Sequence, residues 1–178
     1  SYADRLNLVG SPELVRAWLE GDWNVIAGAF FPEFDGARHV VAPHEIPEHW
    51  LRFQAMDWGS ARPFSVGWYA VSDGDDPRYP RGALIRYREW YGCKPGEPNA
   101  GLKLDAEEVA KDIKQREAGE SVDEVLSVAD PSMWKEDGGP SIAERMIRAL
   151  PGNSGPRFRP ADNTRVTGWQ QVRARING

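Results

Sequence analysis

The sequence predicts an α/β domain in which a mixed sheet, an antiparallel meander followed by parallel strands, is flanked by helices. Two patterns carry this reading. Between residues 51 and 91, three segments that read as strands are joined by short connections, the mark of an antiparallel meander. From residue 105 onward the apolar period lengthens to that of a helix, and helices alternate with short apolar strands. At 178 residues the chain can bury one ordinary core.

Leu51–Asp57 places Leu51, Phe53 and Ala55 on one side and reads as the first strand. Gly59 to Pro63 turns the chain into a second strand, Phe64–Val71. An acidic, proline-containing loop at Asp73–Pro80 leads to a third, Ala83–Tyr91, with Ile85, Tyr87, Glu89 and Tyr91 expected on one face. Residues 92–101 read as a Gly/Pro-rich loop. Asp105 and Glu108 have capping-box spacing, and Ala106, Val109, Ala110 and Ile113 form a helical stripe behind them. Val125–Ala129 is a short apolar strand ending at Asp130. Ser141 and Glu144 repeat the capping-box spacing, with Ile142, Met146 and Leu150 along the next helix. A brief strand near Phe158 precedes a last helix carrying Trp169, Val172 and Ile176. Residues 1–50 read as a lead-in that packs on the core, with a short helix starting at Ser11-Pro12; residues 51–178 form the domain proper. Three strands, helix, strand, helix, strand, helix is the element order of a ribonuclease H-like domain.

Charge and composition narrow the function. No apolar run approaches the ~20 residues of a membrane span, and no signal segment is visible at the N-terminus. The single cysteine, Cys93, excludes an internal disulfide and fits a cytoplasmic-type compartment. The net charge of −5 is unevenly spread: residues 141–178 carry seven arginines against Glu144 and Asp162. A basic C-terminal segment beside acidic strand ends suits an enzyme that holds a polyanion against metal ions. A solvated arginine-rich helix face explains the charge alone equally well. Arg157, Arg159 and Arg173 are the candidate DNA-binding residues, chosen from this segment.

Asp57 and Asp130 are the candidate catalytic and metal-ligating residues. If their strands are parallel neighbours, about 4.8 Å apart, both carboxylates emerge at one sheet edge and can share Mg²⁺ or Mn²⁺, which favour hard oxygen ligands. Phosphodiester cleavage uses such clusters, with paired ions ~3.5–4 Å apart. An aspartate that merely caps a loop is the plainer reading of each residue taken singly. Glu89 is a weaker candidate, as readily explained by pairing with Arg86 or Arg88. Glu136 and Asp137 read as surface charges and Asp162 as a turn residue. His39, His44 and His49, spaced by five, fit neither a helix face nor a usual zinc pattern and read as structural or surface residues.

Three stretches together resemble the large terminase family of phages. They are Ala55-Met56-Asp57-Trp58-Gly59-Ser60-Ala61-Arg62-Pro63, Val128-Ala129-Asp130-Pro131-Ser132, and Ala161-Asp162-Asn163-Thr164-Arg165-Val166-Thr167-Gly168-Trp169. The lead-in Trp18-Leu19-Glu20-Gly21-Asp22-Trp23 and Phe30-Phe31-Pro32-Glu33-Phe34 resembles the family's connection between ATPase and nuclease domains. The resemblance implies a ribonuclease H-like, divalent-metal-dependent endonuclease that cuts concatemeric viral double-stranded DNA in the host cytoplasm. It also implies a two-metal site with Asp57 and Asp130 as ligands and a third protein ligand beyond Gly178, so that the domain is expected to be truncated at its C-terminus. The implied partners are DNA, the portal protein, the small terminase subunit and an ATPase domain of the same parent chain. No GxxxxGK[ST] phosphate loop is present here. Two other readings stand beside this one. A non-catalytic docking module of the packaging motor is one. The other is an actin-like sugar-kinase fold, suggested by the D-x-G-[ST] turn at Asp57-Trp58-Gly59-Ser60 but lacking a second glycine-rich phosphate turn.

Overall fold

The computed structural model describes residues 31–177; the helix expected at Ser11-Pro12 and the stretch 18–23 lie outside them. The chain divides into two compact units, one of them Pro43–Thr164 and the other formed by Ser1–Ala42 with Arg165–Gly178. In the second unit, a single helical turn α1 (Gly36–His39) is capped by the Asp35 carboxylate, which accepts from the Ala37 N–H. Its partner is the last helix (Arg165–Asn177). Arg173 Nε donates to Glu33 at 2.7 Å, and His39 Nε2 lies 3.1 Å from the Ile176 carbonyl oxygen.

The other unit holds a five-stranded sheet. Its strands are β1 (Leu51–Asp57), β2 (Ser65–Val71), β3 (Leu84–Tyr91), β6 (Val128–Ala129) and β7 (Arg159–Pro160), in the spatial order β3-β2-β1-β6-β7. β1, β2 and β3 pair antiparallel, and β6 and β7 extend the sheet in parallel from β1. This is the ribonuclease H-like mixed sheet expected from the element order. Residues 92–101 depart from expectation: β4 (Cys93–Lys94) and β5 (Glu97–Gly101) make a separate hairpin. The strand expected at Val125–Ala129 is shortened, because the Asp123 carboxylate accepts from the N–H groups of Val125 and Leu126 and folds these residues into a turn.

Two helices cover one face of the sheet. α2 (Ala106–Arg116) and α3 (Ile142–Arg148) both begin with the reciprocal capping box read from the sequence: Asp105 with Glu108, and Ser141 with Glu144. Met56, Val66 and Trp68 of the sheet pack against Val109, Ala110, Ile113 and Met146 of the helices, with Met133 between. Each large side chain so buried contributes about 1.5–3 kcal/mol. A polar hub lies within this layer. Glu117, directly after α2, accepts hydrogen bonds from Gln54 Nε2 (2.8 Å) and Trp68 Nε1 (3.1 Å) through one carboxylate oxygen, while Lys114 pairs with the other at 3.3 Å. One side chain thereby ties α2 to β1 and β2.

The third strand does not present its residues as simple alternation predicts. Trp68 opposes Arg88 but Tyr69 opposes Arg86, so Tyr87 is an extra residue in a bulge. Tyr87 and Trp90 pack toward the core, Tyr87 donating to Glu120. Arg86, Glu89 and Tyr91 lie on the opposite face. The expected common face of Ile85, Tyr87, Glu89 and Tyr91 is therefore corrected: one inserted residue reverses the side-chain phase along half the strand.

The turn that follows β1 is braced by β5. Gly101 donates its N–H to the Ala61 carbonyl, and a Cβ on Gly101 would fall 2.0 Å from the Ser60 carbonyl oxygen. Backbone cannot yield as a side-chain tip does. Gly101→Ala is expected to cost about 2–3 kcal/mol, lowering Tm by about 5–10 °C. A thermal melt of the variant within about 1 °C of wild type would show that the turn moves freely.

Candidate functional site

The face of the sheet opposite α2 and α3 carries the site. In the parallel pair, Ala55 lies beside Val128 and Met56 beside Ala129. The register continues one step further, where the Asp130 N–H donates to the Met56 carbonyl at 3.0 Å. Asp57 and Asp130 thus leave adjacent strands at equivalent positions, with side chains on the same face. The third parallel strand adds Ala161, whose N–H donates to the Ala129 carbonyl at 2.8 Å. These residues, with Ser65, Gly67, Tyr69 and Arg86, wall an open pocket of about 260 Å³.

The two carboxylates are electrostatically unequal. Asp130 caps the 3-10 turn Pro131–Trp134, accepting from the Ser132 N–H at 2.8 Å through Oδ1. Hydrogen bonds from Ser132 hold its pKa below the ordinary carboxylate value, with Lys135 adding a smaller pull. Among the described residues, Asp57 has no such donor. Burial pushes its pKa up, and the negative charge of Asp130 pushes it further. The asymmetry is physical: Asp130 ionises first, so Asp57 must lose its proton beside an existing charge. The linkage signs are opposite. Asp130 stabilises the fold above its unfolded pKa, and this is lost as pH falls through its lowered folded value. Asp57 disfavours the fold once pH rises through its unfolded pKa toward its raised folded value. A cation between the two removes that penalty. Two hard oxygen donors side by side, one of them raised in pKa by burial and by its neighbour's charge, fit Mg²⁺ or Mn²⁺. Among the described residues, the pocket wall supplies these two carboxylates and no third.

The remaining candidates fall into place one by one. Arg159 stands beside Val128 in the sheet register, on the carboxylate face, and is exposed. Arg157 is turned to the Asn153 carbonyl and lies 3.6 Å from Glu124. Arg173 belongs to the other unit, paired with Glu33. Glu89 pairs with Arg86 at 3.3 Å. Glu136 and Asp137 are exposed loop charges. Asp162 accepts from both the N–H and the hydroxyl of Thr164, a turn-residue arrangement.

A different group appears at the far end of β1, about 20 Å of strand away. His49, Asp73 and Asp75 bring ligand atoms within 4.8 Å of one another, near enough to hold a cation. His49 Nε2 lies 2.9 Å from Asp75 and 3.3 Å from Asp73, and Trp50 Nε1 donates to Asp75. Histidine spacing does not reveal this cluster, because the two aspartates come from the turn after β2. The acidic run Asp73-Gly74-Asp75-Asp76 was the available signal. His44, by contrast, stacks on Tyr79, and His39 on Phe34.

Tyr69 lies on the carboxylate face by alternation with Ser65 and Gly67; the bulge in β3 brings Arg86 to the same face, which alternation along β3 does not predict.

No protein-family model and no curated protein matches the chain. Solved structures do. The fold is similar to the large terminase of a thermophilic bacteriophage, with TM-score 0.58, 17% identity, and 83% of this chain covering 32% of that one. The ADP complex of the same phage's large terminase aligns with TM-score 0.59, 18% identity and 98% of this chain, covering 38% of that one. The P22 large terminase nuclease domain aligns with TM-score 0.57 and 13% identity, 83% of this chain covering 68% of that domain. The chain thus spans about a third of the thermophilic-phage structures, and at these identities the likeness is one of fold.

Proposed function

We propose that this chain is the endonuclease module of a DNA-packaging terminase, cutting double-stranded viral DNA with Mg²⁺ or Mn²⁺ held by Asp57 and Asp130. The observation that carries the reading is the juxtaposition of these two aspartates at the ends of adjacent parallel strands, within a fold shared with the P22 large terminase nuclease domain. Bound metal would supply a nucleophile at neutral pH and stabilise charge on the departing oxygen. The protein's part is to hold both carboxylates rigidly. β1 is anchored by β2 on one side and β6 on the other, and Ser132 steadies Asp130 by donating its N–H to Oδ1. Arg159, exposed on the same face, would neutralise a DNA phosphate. By the same reading the ATPase domain of a longer parent chain, the portal protein and the small terminase subunit are its partners, and the host cytoplasm its place of work. None of the described helices is long and apolar enough to cross a membrane.

Metal binding is tested by thermal shift. A cation at ten times its Kd stabilises the fold by about 1.4 kcal/mol, so Mn²⁺ should raise Tm by roughly 3–6 °C. Asp57→Asn should abolish most of that rise, while Asp75→Asn should leave it intact. The reverse pattern would move the metal to the His49 cluster and away from the proposed nuclease centre. Nicking of supercoiled plasmid by the same preparations tests the chemistry.

A further inference from the structure

We propose that Arg86 and Tyr69 form a phosphate-binding subsite beside the two aspartates, gripping a DNA backbone phosphate next to the one to be cleaved; this deepens the nuclease reading and rests on it. Three observations lead there. First, Arg86 is the sole cationic side chain among the residues walling the pocket that contains Asp57 and Asp130. A polyanion entering a pocket with two carboxylates needs positive charge near it, and metal alone leaves the neighbouring phosphates unmatched. Second, Arg86 reaches this face only because of the bulge at Tyr87, which sets Arg86 directly opposite Tyr69. Bulges commonly re-aim a side chain at a functional site. Third, Tyr69 is stacked on Phe53 at 5.4 Å between ring centroids and folds along the strand over Gly67. A Cβ on Gly67 would lie 2.9 Å from the Tyr69 hydroxyl oxygen, so glycine there is what lets the ring lie down. The ring carries its hydroxyl from the row of Phe53 toward the row of Asp57 and Ser65.

The chemistry of the pair fits a phosphodiester. The Tyr69 hydroxyl donates one hydrogen bond to a non-bridging oxygen, and the guanidinium of Arg86 offers a planar fork to the same group. Arg86 and Tyr69 wall the same pocket as Asp57 and Asp130, so a phosphate adjoining the one at the aspartates is the group they would meet. Among the described residues, the ionic partner of Arg86 is Glu89, with both side chains about half exposed, 54% and 42%. Such a surface pair is weak, and a phosphate can replace the carboxylate without leaving a buried charge behind.

The test is anisotropy of a fluorescein-labelled DNA duplex at several NaCl concentrations, with Ca²⁺ in place of Mg²⁺. Arg86→Ala should weaken binding by roughly tenfold and reduce the log–log salt slope by about 0.9. Arg86→Lys should restore the slope, since charge survives, but not the full affinity. Tyr69→Phe, which keeps the stack on Phe53, should weaken binding roughly fivefold at unchanged slope. Glu89→Gln should tighten binding by freeing Arg86, and that gain should vanish when Glu89→Gln is combined with Arg86→Ala, which separates release of Arg86 from the general loss of a negative charge. Unchanged affinity and slope in Arg86→Ala would overturn the subsite, as would loss of binding in Glu89→Gln. Plasmid cleavage by the wild-type chain in Mn²⁺ reports separately on the nuclease reading. No cleavage together with a flattened slope would remove the chemistry and keep the phosphate contact. Cleavage with an unaltered slope would remove the contact alone.

Discussion

Asp57→Asn and Asp130→Asn are each expected to lower Mn²⁺-dependent plasmid cleavage by about 10³-fold or more while leaving DNA affinity within about twofold. Each substitution removes one of the two carboxylates on the pocket wall, and metal-derived stabilisation of several kcal/mol is worth about a decade of rate per 1.36 kcal/mol. Neither aspartate faces a phosphate as a partner, so affinity should not fall with rate. The two variants should differ in stability. Asp57→Asn relieves a carboxylate whose charge is disfavoured by burial and by Asp130, so without metal it should melt above wild type at neutral pH and match it below the unfolded carboxylate pKa. Asp130→Asn loses favourable hydrogen bonding from Ser132 to the charged form, and should melt below wild type. Supercoiled plasmid nicking, filter binding and thermal melts on the same preparations separate these effects. Full cleavage by Asp57→Asn would sink the mechanism.

Glu117→Ala is expected to cost about 3–5 kcal/mol, the scale of removing one partner from a buried polar pair. The side chain is 5% exposed and is the shared acceptor for Gln54 and Trp68, both fully buried. Truncation leaves two buried N–H donors unmet, at about 1–3 kcal/mol each, and removes one carboxylate partner of Lys114. Lys114 retains Glu124 at 3.3 Å and so adds little. For a chain of this size the corresponding fall in Tm is about 10–15 °C. Glu117→Gln keeps an acceptor oxygen for both donors and should recover most of the loss. Gln54 lies three residues before Asp57 on β1, so the alanine variant should also weaken metal binding more than its stability loss alone explains. Urea denaturation of the three proteins decides; a cost below about 1 kcal/mol for Glu117→Ala would mean that water or neighbouring groups satisfy the donors.

Features that depend on neighbours a few residues apart were legible in the sequence. Asp105 with Glu108 and Ser141 with Glu144 specify helix starts because the capping box closes within one turn. The β1 range follows from its own alternation, although the face it buries is that of Arg52, Gln54 and Met56 and not the apolar side of Leu51, Phe53 and Ala55; the last helix follows from its own apolar spacing. Asp57 and Asp130 could be singled out because each ends an apolar strand. Their meeting at one edge is another matter, since it depends on β6 pairing in parallel with β1 across more than seventy residues. Spacing does not encode that contact; the burial of Met56 and Ala129 beneath α2 and α3 selects it. The tertiary structure alone also decided the face of Arg86. A period-two strand predicts Glu89 beside Tyr87, and only the Trp68–Arg88 and Tyr69–Arg86 pairings reveal the inserted residue. Likewise His49 joins Asp73 and Asp75 because the start of β1 and the end of β2 lie side by side in an antiparallel pair. Local order was written in the chain because helix caps and strand alternation are short-range. The composition of the pocket was not, because it is set by register between strands, and register is fixed by which faces become buried together.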